Sequence, residues 1–167
     1  MSSDDAIRVQ VTINGQERAL TVRPNATLLD ALRAAGFTSV KYGCGVGDCG
    51  VCTVLVDGQP VHSCQVKVRE LEGRDVLTAE GLACAPEASA QDWQTLHPLQ
   101  RAFIEVGAIQ CGYCTPAQLM VAKALLERNP DPSEEEIRAA LAGVLCRCTG
   151  YVKIVQAVQR AAALLRG

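Results

Sequence analysis

Nine cysteines constrain this chain of 167 residues more than any other feature: Cys44, Cys49, Cys52, Cys64, Cys84, Cys111, Cys114, Cys146 and Cys148. The sequence opens Met-Ser-Ser-Asp-Asp, acidic where a secretory leader is positive and then apolar, so the expected location is cytoplasmic. Disulfides are rare in that reducing compartment and nine is an odd number, so metal binding is the first expectation and cross-linking the second. Composition narrows the field further. With 49% apolar and 20% charged residues the chain is globular rather than disordered or fibrous. Sixteen basic against eighteen acidic residues leave a net charge of -2, so no basic face is available for phosphates and nucleic-acid binding is not expected. No apolar run approaches the roughly 18 to 20 residues of a spanning helix, so direct membrane insertion is not expected either. Aromatic residues make up only 4%, leaving an aliphatic and alanine core that two small domains would need to supplement.

Hydrophobic periodicity divides the chain. Ile7, Val9, Val11 and Ile13 alternate with polar neighbours, Asn14-Gly15 is a strong hairpin signal, and Ala19, Leu20 and Val22 resume beyond it. Thr27, three residues before Asp30, caps a short helix carrying Leu28, Leu29 and Leu32 and stopping near Gly36. A strand over residues 53–56 turns at Asp57-Gly58, residues 61–68 are predicted to return as its partner, and Val76-Leu77 supply one further short strand. A small sheet clasping one helix is the β-grasp arrangement. From Leu82 to Asp92 the pattern dissolves into Ala, Pro, Ser and Glu, and then the period becomes helical. Four short helices are predicted: one through Leu99 and Phe103, one opened by Thr115-Pro116, one capped by Ser133 with Glu136, and one from Tyr151 or Val152 onward. The expected division is a domain over residues 1–81, a linker over 82–95 and a domain over 96–167.

Cys44, Cys49 and Cys52 are spaced C-x4-C-x2-C, and Cys64 follows after eleven intervening residues, placed by the expected pairing on the next strand. The first three reproduce the plant-type ferredoxin spacing for a [2Fe-2S] cluster. Gly43, Gly45, Gly47 and Gly50 between them let the loop fold tightly and leave backbone N–H groups free to point at sulfurs. Zinc is disfavoured, because structural zinc sites usually place ligands as two close pairs.

A second group combines Cys111 and Cys114, in Gln-Cys-Gly-Tyr-Cys-Thr-Pro, with Cys146 and Cys148, in Cys-Arg-Cys-Thr-Gly-Tyr, after 31 intervening residues. Each pair lies where a loop enters a predicted helix, and helix N-termini favour negative charge such as a tetrathiolate cluster carries. Spacing alone allows either zinc or an iron-sulfur cluster here. The C-x-C pair and the long gap favour iron and sulfur.

The run from Gln110 to Pro116, the run from Cys146 to Tyr151 and the preceding glycine-rich cysteine loop together closely resemble the two-cluster iron-sulfur subunit of the molybdenum hydroxylases, the xanthine dehydrogenase and aldehyde oxidoreductase family. The resemblance covers about Ile7 to Leu165. It implies an α+β chain: an N-terminal plant-type ferredoxin-like domain holding one [2Fe-2S] cluster on Cys44, Cys49, Cys52 and Cys64, then an all-α four-helix domain holding another on Cys111, Cys114, Cys146 and Cys148. It implies a large partner subunit carrying molybdopterin and, in most relatives, a medium subunit carrying FAD. By the same resemblance Gln110 and Cys148 hydrogen-bond the pterin, the Cys44 loop faces the flavin side, and no residue of this chain is catalytic toward substrate. Relatives often carry Glu at position 46, Ala at 51 and Gly at 117, where this chain has Val46, Val51 and Ala117, and Gly45 departs from the aspartate of the carbon monoxide dehydrogenase branch.

The remaining candidates read as structural. Cys84 in the linker is surplus to two sets of four, His62 stands near Cys64 where all four thiols are already present, and His97 before Pro98 is a helix cap or surface residue. Tyr113 and Tyr151 pack beside the second cysteine group, whereas Arg147, between two of its members, is expected to touch the cluster field or a partner. Three functions follow, in order: the electron-transfer subunit of a molybdenum hydroxylase, a free-standing ferredoxin-like carrier or redox sensor, and a zinc-stabilised interaction module. Iron content and a large co-purifying subunit separate them.

Overall fold

The computed structural model describes residues 6–82 and 93–167. Cys84 and most of the expected linker lie outside the described residues. Strands β1 (Ile7–Ile13) and β2 (Gln16–Val22) form the predicted antiparallel hairpin, with Ile13 opposite Gln16. Asn14 and Gly15 both take positive φ, 52° and 76°, the twist a two-residue turn needs to match its strands. Val9, Val11 and Ile13 point inward, as their alternation requires. Helix α1 (Leu28–Ala34) follows, capped by the Thr27 hydroxyl, which accepts from the Asp30 amide at 3.1 Å. Leu28, Leu29 and Leu32 are buried against the sheet.

Strand β3 (Thr53–Val56) turns at Asp57-Gly58 into β4 (Gln59–His62), and the short β5 (Asp75–Leu77) enters the middle of the sheet. The strand order is β2-β1-β5-β3-β4, with β5 parallel to β1 and antiparallel to β3. Sheet and helix are thus arranged as a β-grasp.

One predicted boundary is corrected. The partner of β3 begins at Gln59 and ends at His62 instead of running from residue 61 to 68. Residues 63–66 leave the sheet because the free amides at the start of α1 need acceptors: Leu28 N–H donates to the Val66 carbonyl at 2.8 Å and Leu29 N–H to the Ser63 carbonyl at 3.1 Å. Cys64 therefore sits in a turn two residues beyond β4, and not on a strand beside His62.

After the 3-10 turn Trp93–Thr95 come α2 (Pro98–Glu105), α3 (Thr115–Arg128), α4 (Glu134–Leu141) and α5 (Val152–Arg166). His97 caps α2, its Nδ1 accepting from the Leu99 amide at 3.1 Å while Gln100 accepts from the His97 amide. Ser133 and Glu136 form the predicted capping box of α4. Helix α3 begins at Thr115 as expected, although its cap is Cys114. It is buried over most of its circumference, from Ala117 to Ala122, because it packs on β3 as well as on the other helices. Val51 and Leu55 belong to the same apolar cluster as Phe103, Met120, Ile137 and Val158, so the sheet and the helices share a continuous core. Among the described residues no helix is long and apolar enough to cross a membrane.

Candidate functional site

The first cysteine loop runs from Gly43 to Cys52 and is shaped by backbone that only glycine adopts cheaply. Gly45, Gly47 and Gly50 take φ of 74°, 90° and 66°. At Gly43 a β-carbon would lie 2.6 Å from the Cys49 sulfur, so the missing side chain lets the chain lie directly against that thiol. The amides freed by this path point at sulfur. Cys49 N–H and Val46 N–H donate to Cys44 Sγ at 3.4 and 3.5 Å, and Cys44 N–H donates to Cys49 Sγ at 3.3 Å. These donors favour the anion: the Cys49 amide, then that of Val46, lower the Cys44 thiol to a pKa of about 6.

Cys52, immediately before β3, and Cys64, in the turn after β4, are both buried. Burial is the largest influence on Cys52 and raises its pKa, with the Cys64 thiol adding to the rise. Ser63 anchors the pair, its hydroxyl donating to the Cys52 carbonyl at 2.7 Å. Gln65 ties this pair to the loop: its Nε2 donates to Cys64 Sγ at 3.4 Å and to the Gly45 carbonyl at 3.3 Å.

The second group assembles from two loops. Cys111 is exposed, Cys114 is buried at the N-cap of α3, Cys146 is partly buried and Cys148 is exposed. Their side chains meet, Cys111 with Cys148 and Cys114 with Cys146. The Tyr113 amide, then the Cys148 thiol, lower Cys111, whereas burial pushes Cys114 up to about 12. For Cys146 burial acts upward, and the Thr149 hydroxyl, 3.1 Å from its sulfur, with nearby amides outweighs it, so that thiol is lowered. The thiol of Cys111 raises Cys148. The thiols of the second group are thus set out in two pairs, Cys111 with Cys148 and Cys114 with Cys146. Paired thiols, one pair open to solvent and the other deep, with amide and hydroxyl donors on the sulfurs, fit a core of two metal atoms that carries net negative charge.

The two groups lie back to back. Leu145 N–H donates to the Cys49 carbonyl at 2.9 Å, linking the residue before Cys146 to a member of the first group. Backbones touch there because Gly50 lacks a side chain: a β-carbon would stand 1.9 Å from the Gly143 carbonyl oxygen. On the exposed side the Tyr113 hydroxyl donates to the Tyr42 carbonyl at 2.6 Å, and Lys41 Nζ sits 6.0 Å from the Tyr113 ring centre. Gln110 and Cys148 are both exposed; Gln110 directly precedes Cys111, whose thiol meets that of Cys148. His62 and His97 contribute nothing to either group. The sequence reading missed Gln65 and Thr149, which adjacency to Cys64 and Cys148 would have suggested. It also missed Gly143 and Gln118, which carry no local signal.

Two family models match the chain: a 2Fe-2S iron-sulfur cluster binding domain over residues 11–89 and a [2Fe-2S] binding domain over residues 78–159. The nicotinate dehydrogenase small FeS subunit of Eubacterium barkeri is 46% identical over 156 residues, 93% of this chain and 94% of the relative. The xanthine dehydrogenase iron-sulfur-binding subunit of Escherichia coli O157:H7 is 42% identical over 95% of this chain and 96% of the relative. Among solved structures, quinoline 2-oxidoreductase from Pseudomonas putida 86 superposes with a TM-score of 0.88 at 40% identity, covering 98% of both chains. The aldehyde oxidoreductase of Desulfovibrio desulfuricans ATCC 27774 matches with a TM-score of 0.88 at 46% identity, with 96% of this chain aligning to 17% of that one. Same-length relatives that are themselves small iron-sulfur subunits, joined to two cysteine groups built for thiolate chemistry, decide the matter: the chain belongs to the iron-sulfur small-subunit family of the molybdenum hydroxylases, the xanthine dehydrogenase and aldehyde oxidoreductase group.

Proposed function

We propose that this chain is the electron-transfer subunit of a heteromeric molybdenum hydroxylase, passing electrons between a molybdopterin centre on a large partner subunit and a flavin or other acceptor. Cys44, Cys49, Cys52 and Cys64 hold one [2Fe-2S] cluster in a ferredoxin-like domain over residues 1–81. Cys111, Cys114, Cys146 and Cys148 hold the second in a four-helix domain over residues 96–167. The observation that carries this reading is the junction between the groups, where Leu145 N–H reaches the Cys49 carbonyl at 2.9 Å.

When bound, each [2Fe-2S] core takes up and returns one electron. The protein's part is to set how readily that happens. Amides of Cys44, Val46 and Cys49, the Gln65 amide group and the Thr149 hydroxyl donate to or stand beside sulfurs and offset their charge. Burial of Cys52, Cys64 and Cys114 keeps water from the inner thiols, while Cys44, Cys111 and Cys148 lie at the surface where partners approach. Gln110 and Cys148, exposed beside each other's neighbours, face the pterin of the large subunit, and the Cys44 loop faces the flavin-bearing subunit. No substrate chemistry resides on this chain.

Affinity purification of the tagged chain from its own host tests the reading. A large molybdopterin-containing subunit should accompany it in stoichiometric amount. Recovery of the chain alone, carrying iron, would favour a free-standing carrier.

A further inference from the structure

Three consecutive residues next to the second cysteine group have their backbone polar groups pinned from different elements. The Val144 carbonyl accepts from Gln118 Nε2 at 3.1 Å and from the Tyr151 hydroxyl at 3.2 Å. Leu145 N–H donates to the Cys49 carbonyl at 2.9 Å. Cys146 N–H donates to the same Tyr151 hydroxyl at 2.7 Å. The Leu145 side chain is 57% exposed, so its own amide is held by its hydrogen-bond partner, while Val144 beside it is anchored both by burial in the core and by these hydrogen bonds.

Both side chains carry a cost that their hydrogen bonds to this segment explain. Gln118 is fully buried on α3, and its Oε1 has no hydrogen-bond partner among the described residues. Only the amide nitrogen can donate to a carbonyl, so Val144 fixes the orientation that leaves the oxygen orphaned. An apolar side chain would avoid that penalty. Tyr151 holds φ of 66°, a left-handed conformation that a bulky residue adopts only when its surroundings impose it. That conformation turns the chain so that the hydroxyl reaches Val144 and Cys146 together.

We propose that Gln118 and Tyr151 are positioning residues for electron passage between the two clusters: they clamp the Val144 carbonyl from two sides and thereby fix the Leu145 amide against the Cys49 carbonyl. From Cys146 the route is covalent through Leu145, crosses one hydrogen bond, and is covalent again to Cys49. With clusters held by Cys111, Cys114, Cys146 and Cys148 and by Cys44, Cys49, Cys52 and Cys64, one electron would pass from the first to the second, with no proton transferred and no bond broken. The proposal rests on both groups being cluster ligands, as set out under the proposed function.

The test uses the full chain in its assembled complex, with Tyr151→Phe and Gln118→Met as separate variants. Each roughly keeps the side-chain volume and removes one donor to Val144; Tyr151→Phe also takes the acceptor from the Cys146 amide, whereas Gln118→Met touches Val144 alone. After a short reductant pulse, freeze-quench EPR follows the electron as it equilibrates between the clusters. Hydrogen-exchange mass spectrometry reads the protection of the Leu145 amide. Both variants should keep both EPR signals at full intensity, equilibrate several-fold more slowly and lose protection at Leu145. Unchanged equilibration and unchanged protection in both variants would overturn the proposal. So would outright loss of a cluster, which would make the two residues structural supports. A wild-type chain without two clusters would instead remove the functional reading beneath it.

Discussion

At Cys148 and Gly50 single atoms decide what the protein can hold. Cys148 is exposed and meets Cys111, completing the outer pair of the second group. Cys148→Ser should weaken or remodel the cluster of the helical half while sparing the other, read as loss or change of one of two EPR signals. Both signals at full intensity would contradict the ligand assignment. Gly50 illustrates a different constraint. Its φ is 66°, and any β-carbon there would meet the Gly143 carbonyl oxygen at 1.9 Å, an atom of rigid backbone. Gly50→Ala should therefore separate the two loops and destabilise the chain by roughly 2–4 kcal/mol, combining left-handed strain with overpacking. Chemical denaturation at fixed pH measures this, and a change below about 0.5 kcal/mol, the range of ordinary surface substitutions, would show that the junction yields easily. The cysteine spacing was legible in the sequence because ligand chemistry demands it at fixed offsets. Gly143 and Gln118 were not, because their partners lie far away in sequence and neither breaks the local pattern. The resemblance that named the family rested on the cysteine runs, and it brought the two groups to one protein without saying how they touch.

Among the elements, caps and turns were the most readable. Thr27, Ser133 and Asn14-Gly15 do what their local chemistry prescribes, because each is a short-range hydrogen-bonding or φ requirement that needs no tertiary information. The end of β4 was not readable, since the residues past His62 are drawn off by the amides of α1, a contact between segments far apart in sequence. Helix α3 gave little periodicity because it is buried on several faces at once. His97 carries an element-scale prediction. Burial, with the nearby Lys123 and Arg101 charges, depresses its pKa to about 4, and the neutral ring accepts from Leu99. A depressed pKa means that the unfolded chain takes up the proton first. The stabilisation is therefore complete above the ordinary histidine value of about 6.5 and is lost as pH falls toward about 4. His97→Asn keeps a capping oxygen that does not titrate, so its melting temperature should fall less steeply than that of the wild type between pH 6.5 and 5. Parallel slopes would show that the cap titrates no differently in the folded protein.

For the whole molecule, the sheet and helices are joined by a continuous apolar cluster and by the Leu145–Cys49 and Tyr113–Tyr42 hydrogen bonds. Residues 41–52 lie close to that junction, yet the loop contributes few apolar side chains to the core: Tyr42 and Val46 are exposed. Metal binding supplies folding free energy to sites that have no preformed counterpart in the unfolded chain. Iron-free chain should accordingly lose native near-ultraviolet circular dichroism and melt without a sharp transition, and a cooperative, native-like melt would contradict this coupling. Buried thiols such as Cys114, raised to about 12, must give up a proton when metal enters, so reconstitution should release protons and proceed more readily as pH rises. Assembled, each tetrathiolate cluster adds about two negative charges to the chain's own -2, which moves the protein further from any nucleic-acid partner. The odd ninth cysteine, Cys84, lies outside the described residues and is not needed for this arithmetic.

Iron, sulfide and EPR analysis of the purified wild type decides whether this chain holds two [2Fe-2S] clusters side by side. About 4 iron and about 4 sulfide per chain, with two distinguishable signals on reduction, are expected from two such clusters. A colourless protein containing zinc, or a chain with about 2 iron and a single signal, would contradict it.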